Sequence, residues 1–286
     1  MQEAGRDPKT LHEAQSRSDW PQWKAAMDRE MDTLRKAGTW QTVLRPADKN
    51  VVDSKWVYHT KYKADGTVKK YKACMVTRGF TQVYGVDYME TYAPVAKLAS
   101  LRTILALAAR LGWRIDCFDF NAAYLNGELG DSEEIYMELP PGYGGGNAEC
   151  IAKLDKALYG LKQARRIWYD TFACALAELG FYASAADPGV FYMRFGEHTL
   201  ILIVHVDDCT LTGSCPELVA KYVTVVSTGT WGPRVRSDWG KSWEPAYRCT
   251  ITCDCCCLVT FHCLLAGSIT SSCSTWVIVR LHVLPS

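Results

Sequence analysis

Apolar residues recur at helical spacing in three stretches of the chain. Over residues 20–34 they fall on one face of a helix, which Asp19 is suited to cap and Gly38 to end. Residues 98–111 are apolar at most positions, which predicts a buried helix. A third stretch with this spacing predicts a helix over residues 163–179.

Elsewhere apolar and polar residues alternate with the period of a β-strand. Residues 55–62 and 68–76 flank an Asp-Gly pair and predict a β-hairpin. A second hairpin is predicted over residues 189–206, and a single strand over residues 113–120. Strands and helices are mixed without regular alternation, so the pattern predicts an α+β fold.

Two adjacent aspartates, Asp207 and Asp208, interrupt the apolar run after the second hairpin. Such a pair is costly near a core, because like charges repel and burial disfavours the ionised forms. A divalent cation would neutralise them. A further carboxylate is available in the strand predicted upstream, where Asp116 and Asp119 lie near the end of an apolar stretch. Carboxylates on two strands are typical of two-metal phosphoryl transfer, whereas an exposed hairpin turn is the alternative.

Composition adds little until the charges are located. The chain has 286 residues and a formal net charge of +1, enough for one large or two ordinary domains. That net charge does not indicate nucleic-acid binding by itself. The first hairpin, however, places aromatic residues among Lys55, Lys61, Lys63, Lys69, Lys70 and Lys72. This mixture suits phosphate and base contacts, although lysines that protect exposed strand edges would look the same.

The two ends of the chain differ in composition from its middle. Residues 1–18 form a polar tail with no apolar signal segment. Residues 226–286 hold seven of the thirteen cysteines, and we expect this segment to be poorly ordered or read from a shifted frame. A zinc site in this segment would have to use Cys249, Cys253, His262 and Cys263, whose spacing matches no standard pattern. The scattered cysteines of the main body indicate an intracellular location, and no membrane contact is expected.

A series of short motifs gives the chain a family resemblance. They include Lys55-Trp56-Val57-Tyr58, Arg78-Gly79-Phe80-Thr81-Gln82, Ala123-Tyr124-Leu125-Asn126-Gly127, Leu158-Tyr159-Gly160-Leu161-Lys162-Gln163, Asp187-Pro188 and Val206-Asp207-Asp208. In this order they closely resemble the reverse transcriptase domain of copia-type (Ty/copia) retrotransposon Pol polyproteins. The resemblance covers residues 20–222 and implies a domain over residues 19–225.

The resemblance implies the fingers and palm of a right-hand polymerase, with a mixed or antiparallel sheet and a missing or disrupted thumb. It implies RNA-directed DNA synthesis by two-metal nucleotidyl transfer. Asp119, Asp207 and Asp208 would hold two Mg²⁺ ions, with Mn²⁺ as an alternative ion and the Phe120 carbonyl as a further ligand. Asp116 is less favoured, because the family's motif begins at Asp119. The implied partners are an RNA or DNA template-primer and deoxynucleoside triphosphates, while the oligomeric state stays open.

Three further residues receive nucleotide-binding roles by the same resemblance. Lys72 would grip the triphosphate, Tyr124 would lie under the sugar and exclude a 2′-hydroxyl, and Gln163 would contact the incoming nucleotide. The alternative for Tyr124 is core packing, and for Gln163 an exposed helical position.

The chain departs from the family pattern at Cys74, where arginine usually follows Lys-Ala. An arginine is a rigid, bidentate phosphate donor that cysteine cannot replace. The sequence therefore supports two functions, an RNA-directed DNA polymerase domain or a catalytically dead retrotransposon remnant with residual nucleic-acid binding.

Overall fold

The computed structural model describes residues 6–120, 122–130, 133–144 and 149–228. Its helices are α1 (Leu11–Gln15), α2 (Trp20–Lys36), α3 (Leu98–Leu111), α4 (Ala164–Glu178) and α5 (Pro216–Ser227). Its strands are β1 (Trp40–Leu44), β2 (Val51–Val52), β3 (Ser54–Tyr62), β4 (Val68–Thr77), β5 (Arg114–Asp119), β6 (Tyr136–Met137), β7 (Cys150–Leu154), β8 (Tyr182–Ala183), β9 (Val190–Phe195), β10 (His198–His205) and β11 (Asp208–Gly213). Short 3₁₀ helices span Gly79–Thr81 and Ala123–Asn126. The described residues divide into two compact units, 6–94 with 122–174 and 95–120 with 175–228.

The first unit contains two small sheets. One has the strand order β1-β7-β6-β2, with β2 parallel to β6 and the other pairs antiparallel. The other is the antiparallel hairpin of β3 and β4, which confirms the first predicted hairpin. Gly66 has a φ of +80° in the connecting turn, a conformation that glycine adopts without steric cost. Parallel and antiparallel pairs therefore occur together, as in the mixed or antiparallel sheet that the resemblance implies.

Helix α2 covers the open edge of β4, and its apolar face explains why. Trp23 is fully buried and packs edge-on against Tyr71, with ring centroids 4.7 Å apart. Arg29 donates to the Tyr71 carbonyl at 3.3 Å, while a Glu30 carboxylate oxygen accepts from the Met75 amide at 3.4 Å. Backbone groups of an uncovered strand edge invite pairing with another chain, so this helix protects the hairpin.

Two backbone segments of the first unit approach each other too closely for side chains. The Thr77 amide donates to the Tyr159 carbonyl at 2.8 Å. Next to this bond, Gly160 has a φ of +96°, and a Cβ atom there would overlap the Thr77 carbonyl oxygen. Glycine is therefore required at residue 160 for both conformation and space.

The second unit is built on one antiparallel sheet with the strand order β5-β11-β10-β9-β8. The second predicted hairpin is confirmed as β9 and β10, and the predicted upstream strand is confirmed as β5. Helix α5 packs against β5 and β11. The core is apolar and includes the fully or nearly fully buried side chains of Phe181, Leu200, Leu202, Leu211 and Val219. In this sheet the last residue of β5 lies next to the first residue of β11.

Helix α3 has its predicted bounds, but the prediction that it is buried is wrong. Ala108 is its buried residue, whereas Leu98, Leu107 and Leu111 are 55%, 39% and 51% exposed. An apolar helix is buried only where other elements cover it, and the described residues cover one side of α3. Spacing along the chain predicts the helix but not the number of its neighbours.

The predicted cap of α2 is also wrong. Asp19 lies at the start of the helix, yet its side chain makes no capping hydrogen bond. Its carboxylate instead accepts from the Arg17 guanidinium at 2.9 Å, because a charged partner lies within reach. Gly38 follows the helix with a φ of +61°, as predicted.

The described part of the polar N-terminal segment is folded. Within it, α1 begins after Thr10, whose hydroxyl accepts from the Glu13 amide at 3.1 Å, and Ala14 is fully buried. The cysteine-rich tail was predicted over residues 226–286; α5 extends to Ser227, and residues 229–286 lie outside the described residues. Among the helices described, none is long and apolar enough to cross a membrane.

Candidate functional site

The sheet of the second unit brings two carboxylates of distant sequence together. Strands β5 and β11 pair antiparallel in a register that places Asp119 directly opposite Asp208. The Phe120 amide, one residue past β5, donates to the Asp207 carbonyl at 3.0 Å. Side chains of directly opposed residues project from the same face of a sheet, so Asp119 and Asp208 share a face.

A two-residue turn connects β10 to β11 and carries the third carboxylate. His205 pairs with Asp208, leaving Val206 and Asp207 as the turn residues. Val206 has a φ of +62°, which is unusual for a branched side chain and costs on the order of 1–3 kcal/mol. The sequence shows no glycine at this turn and gave no signal of the strain. Pairing on both sides of the turn therefore imposes its conformation.

The electrostatics of this edge disfavour the ionised form of Asp208, first through burial and then through repulsion. Burial raises the pKa of Asp208, and the charges of Asp207 and Asp119 raise it further, while His205 acts in the opposite direction. The Asp208 Oδ1 atom is buried and has no hydrogen-bond partner. A buried acceptor without a donor costs free energy, so this oxygen is suited to a cation or a donor brought by a ligand.

Whether these residues fit a divalent metal depends on both chemistry and geometry. Three carboxylates and the Phe120 carbonyl are hard oxygen donors of the kind that Mg²⁺ prefers, and the unpartnered Asp208 Oδ1 supports the fit. In the part of the chain that the structure describes, no three His, Cys, Asp or Glu side chains are gathered closely enough to hold an ion. The strand register therefore brings the carboxylate-bearing residues together, and their side chains would have to move closer to one another to hold an ion.

Asp116, the less favoured candidate on β5, has a different partner. Its carboxylate accepts from the Arg114 guanidinium at 2.7 Å and forms an ion pair on the same strand. It lies opposite Leu211 rather than opposite an acidic residue. Asp116 therefore stands apart from the carboxylate pair.

Lys72 lies in the first unit, on the exposed face of β4. The strand register places it directly opposite His59, and places Lys70 opposite Lys61. Like charges directly opposed across a strand pair are destabilising. An anion would therefore stabilise the Lys61–Lys70 pair on this face, whereas His59, opposite Lys72, lies 3.2 Å from an Asp7 carboxylate oxygen.

Tyr124 also lies in the first unit, in the second 3₁₀ helix. It is 8% exposed, and its ring packs edge-on against Tyr159 with centroids 4.5 Å apart. Ala122, which precedes this helix, has a φ of +55°. This packing fixes the ring, and it is compatible both with the predicted sugar contact and with a purely structural role.

Gln163 immediately precedes α4 and is fully buried, so the alternative of an exposed helical glutamine is wrong. Its amide nitrogen donates to the Asp87 carbonyl at 2.8 Å, and its amide oxygen accepts from Gln82 at 3.0 Å. The Gln82 side-chain oxygen in turn accepts from the Lys162 amide at 2.8 Å. Sequence reasoning missed this network, for which the glutamine closing the Arg78–Gln82 motif was the available signal.

Comparison with known proteins identifies the family. Residues 37–225 match the family model described as reverse transcriptase (RNA-dependent DNA polymerase). The chain belongs to the reverse transcriptase family. It is 40% identical over 218 residues to the retrovirus-related Pol polyprotein from transposon TNT 1-94 of Nicotiana tabacum. It is 38% identical over 199 residues to that from transposon RE1 of Arabidopsis thaliana, and 35% identical over 213 residues to that from transposon RE2.

These matches cover most of this chain but little of its relatives. The match to the tobacco polyprotein spans 76% of this chain and 16% of that polyprotein. The match to the RE1 polyprotein spans 69% of this chain and 13% of that polyprotein. They confirm the resemblance to copia-type Pol polyproteins. Divalent metal ions, template and nucleotides belong to the reverse transcriptase family in general.

Cys74, where the chain departs from the family pattern, lies beside the acidic side chain of Glu30. Burial raises the pKa of the Cys74 thiol, and the Glu30 carboxylate raises it further, whereas Lys72 lowers it. Burial likewise raises the pKa of Glu30. An arginine at residue 74 would have faced this carboxylate, so the cysteine removes a positive charge from the neighbourhood of both Glu30 and Lys72.

Proposed function

We propose that this chain is an RNA-directed DNA polymerase domain, in which a primer 3′-hydroxyl attacks the α-phosphate of a deoxynucleoside triphosphate and displaces pyrophosphate. The observation that carries the proposal is the register of β5 and β11, which opposes Asp119 and Asp208 beside the turn that holds Asp207. Membership of the reverse transcriptase family supports it.

In this proposal Asp119, Asp207 and Asp208 hold two Mg²⁺ ions, with the Phe120 carbonyl as a further ligand and Mn²⁺ as an alternative ion. When bound, the ions supply positive charge to the attacking and leaving oxygens. The unpartnered, buried Asp208 Oδ1 supports this assignment, as do the burial and the neighbouring charges that raise the pKa of Asp208. The pairing of β5 with β11 holds the negative charges of Asp119 and Asp208 next to each other.

The first unit supplies the proposed nucleotide contacts. Lys72 binds the triphosphate, supported by its place on a hairpin face where like charges oppose each other. Tyr124 excludes a 2′-hydroxyl, supported by the Tyr159 ring that fixes it. Gln163 contacts the incoming nucleotide, although its amide is engaged by Gln82 and Asp87, so this contact requires one of those bonds to exchange.

A catalytically dead remnant with residual nucleic-acid binding is the second candidate. The observation that favours it is Cys74, which leaves Lys72 without the neighbouring arginine that the family pattern provides. One phosphate donor fewer predicts weaker triphosphate binding, with binding of template-primer less affected.

Primer extension separates the two candidates. The chain is incubated with poly(rA)/oligo(dT), thymidine triphosphate and Mg²⁺, beside a double variant Asp207→Asn, Asp208→Asn. Asp116→Asn is the matched control, because it removes a carboxylate of the neighbouring strand β5 that pairs with Arg114. Circular dichroism first establishes that all three proteins are folded.

Extension by the chain and by Asp116→Asn, but not by the double variant, is the expected result. Removing a carboxylate acting in a metal site should lower the rate by at least about a thousandfold, a loss of about 4 kcal/mol of transition-state stabilisation. Extension that survives in the double variant would overturn the proposal. Binding of template-primer by all three proteins, without extension by any, would establish the remnant instead.

A further inference from the structure

Asp187 is a buried acidic residue of the second unit that the proposed chemistry leaves unused. It is 4% exposed. Its two carboxylate oxygens accept from the backbone amides of Lys97, at 2.9 Å, and Gly189, at 3.1 Å. The Ser100 hydroxyl is a third donor. The carboxylate thereby joins the start of α3 to the start of β9.

The hydrogen bonds to Asp187 favour its ionised form. Burial by itself would raise the pKa of this carboxyl, but the bonds from Ser100, Lys97 and Gly189 outweigh burial, and the pKa is lowered. An ionised carboxylate accepts from all three donors at once and donates to none. The contact therefore depends on a carboxylate rather than on any polar side chain of similar size.

The two segments that Asp187 joins meet again at one residue of β10. The Val204 amide donates to the Gly189 carbonyl at 2.8 Å, and the Val204 carbonyl accepts from the Ala96 amide at 3.1 Å. A Cβ atom at Gly189 would overlap the backbone of Ala96, so the segments are in direct contact. Both backbone groups of Val204 are thus held by segments that the Asp187 carboxylate ties together.

Val204 is separated from the turn of the aspartates by a single residue, His205. The strained φ of Val206 persists only if the surrounding structure holds it, because the free chain would relax to a lower-energy conformation. We propose that Asp187 is a positioning residue for this turn: by clamping the 95–97 and 187–190 segments around Val204, it fixes where Asp207 and Asp208 lie. The effect of Asp187 on catalysis rests on the proposed function, whereas its positioning of the turn does not.

The test is the full chain with Asp187→Asn, which keeps the size of the side chain but turns an amide NH₂ towards a backbone donor. Ser100→Ala is a milder variant that removes one donor and keeps both backbone bonds. Ser214→Ala is the matched control, since its hydroxyl accepts from the Thr199 amide at the opposite end of the same β10–β11 hairpin. Global stability of each protein is measured by urea unfolding.

Amide hydrogen exchange followed by mass spectrometry is the first readout. Loss of a hydrogen bond to a charged group should speed local opening about tenfold, so peptides covering residues 203–209 and 116–120 should exchange about tenfold faster in Asp187→Asn. Ser100→Ala should give a smaller increase in the same peptides. Ser214→Ala should speed exchange around residues 198–200 and leave the turn peptides unchanged.

The second readout is the Mg²⁺ concentration that gives half-maximal primer extension. We expect Asp187→Asn to raise it severalfold, while Ser214→Ala of equal or lower global stability leaves it unchanged. If Asp187→Asn does not fold, the graded effect of Ser100→Ala on the turn peptides decides the question. Turn peptides that exchange as in the parent chain, in either folded variant, would overturn the inference.

The two proposals fail in different ways. No primer extension by the parent chain would defeat the proposed polymerase function, and hydrogen exchange would still decide whether Asp187 positions the turn. Extension with an unchanged Mg²⁺ midpoint in Asp187→Asn would retain the polymerase and reject the positioning role in catalysis.

Discussion

Asp208→Asn should make the protein more stable in the absence of divalent ions, although it removes a proposed metal ligand. Asp208 lies opposite Asp119, follows Asp207, and has a buried Oδ1 atom without a hydrogen-bond partner. Asparagine removes the charge and offers an NH₂ group to the neighbouring carboxylates. A residue kept for chemistry at the expense of stability behaves in this way.

The expected gain follows from two contributions. Directly opposed like charges on paired strands cost roughly 0.2–1 kcal/mol. A new hydrogen bond from the asparagine NH₂ to a carboxylate contributes about 1 kcal/mol, the typical net value for a hydrogen bond in a folded protein. The sum predicts a rise of about 1–2 kcal/mol in the free energy of unfolding, or about 3–6 °C in Tm.

The measurement is urea unfolding of parent and variant in chelator, at pH values from 7 down to 3.5. Neighbouring charges and burial raise the pKa of Asp208 above its usual 3.8, so the folded parent takes up this proton more readily than the unfolded chain. The destabilisation of the fold by ionised Asp208 is therefore fully present at pH 7 and disappears as the pH falls through the raised pKa. The difference in the free energy of unfolding between variant and parent should be largest at pH 7 and should disappear towards pH 3.8.

Asp116→Asn serves as the control, because the Asp116 carboxylate pairs with Arg114 and its loss should not stabilise the fold. A gap of the same size at every pH would show that charge repulsion is not its cause. A variant less stable than the parent at pH 7 would refute the reasoning about the opposed carboxylates. Added Mg²⁺ should stabilise the parent and not Asp208→Asn if the proposed metal site is correct.

Two further predictions concern the first unit. Glu30→Gln should raise stability at pH 8 by about 1 kcal/mol, because burial raises the pKa of Glu30 and the buried charge is costly above it, and urea unfolding should show no difference below pH 4.5. Gly160→Ala should cost about 3 kcal/mol, from a left-handed φ and overlap with the Thr77 carbonyl, whereas Gly66→Ala, with the same sign of φ but open space, should cost about 1 kcal/mol. Equal losses in the two glycine variants would mean that steric overlap at residue 160 contributes nothing.

The elements that the sequence predicted well are those fixed by contacts between neighbouring residues. The hairpin of β3 and β4 follows from alternation and an Asp-Gly turn, and α3 has the bounds that its apolar spacing predicts. The motifs also pointed to the family, which the comparisons confirmed. Each of these features is encoded within a few residues or in an ordered series of short segments.

The features that were mispredicted or missed depend on partners distant in the chain. Spacing could not show that α3 is covered on one side only, because exposure depends on which other elements pack there. It could not show that Gln163 is buried, since its partners Gln82 and Asp87 come from a segment far upstream. Asp19 is different, because the partner that replaced the expected cap, Arg17, is only two residues away.

For the aspartate site, the sequence by itself determined which residues are candidates for the chemistry: acidic side chains near the ends of apolar strands, where an uncompensated charge is costly. Tertiary structure alone decided that Asp119 and Asp208 are directly opposed and that Val206 adopts a left-handed φ. Both depend on strand register, because hydrogen bonds between strands fix which residues face each other. Residues far apart in the chain acquire that register only when the whole sheet forms.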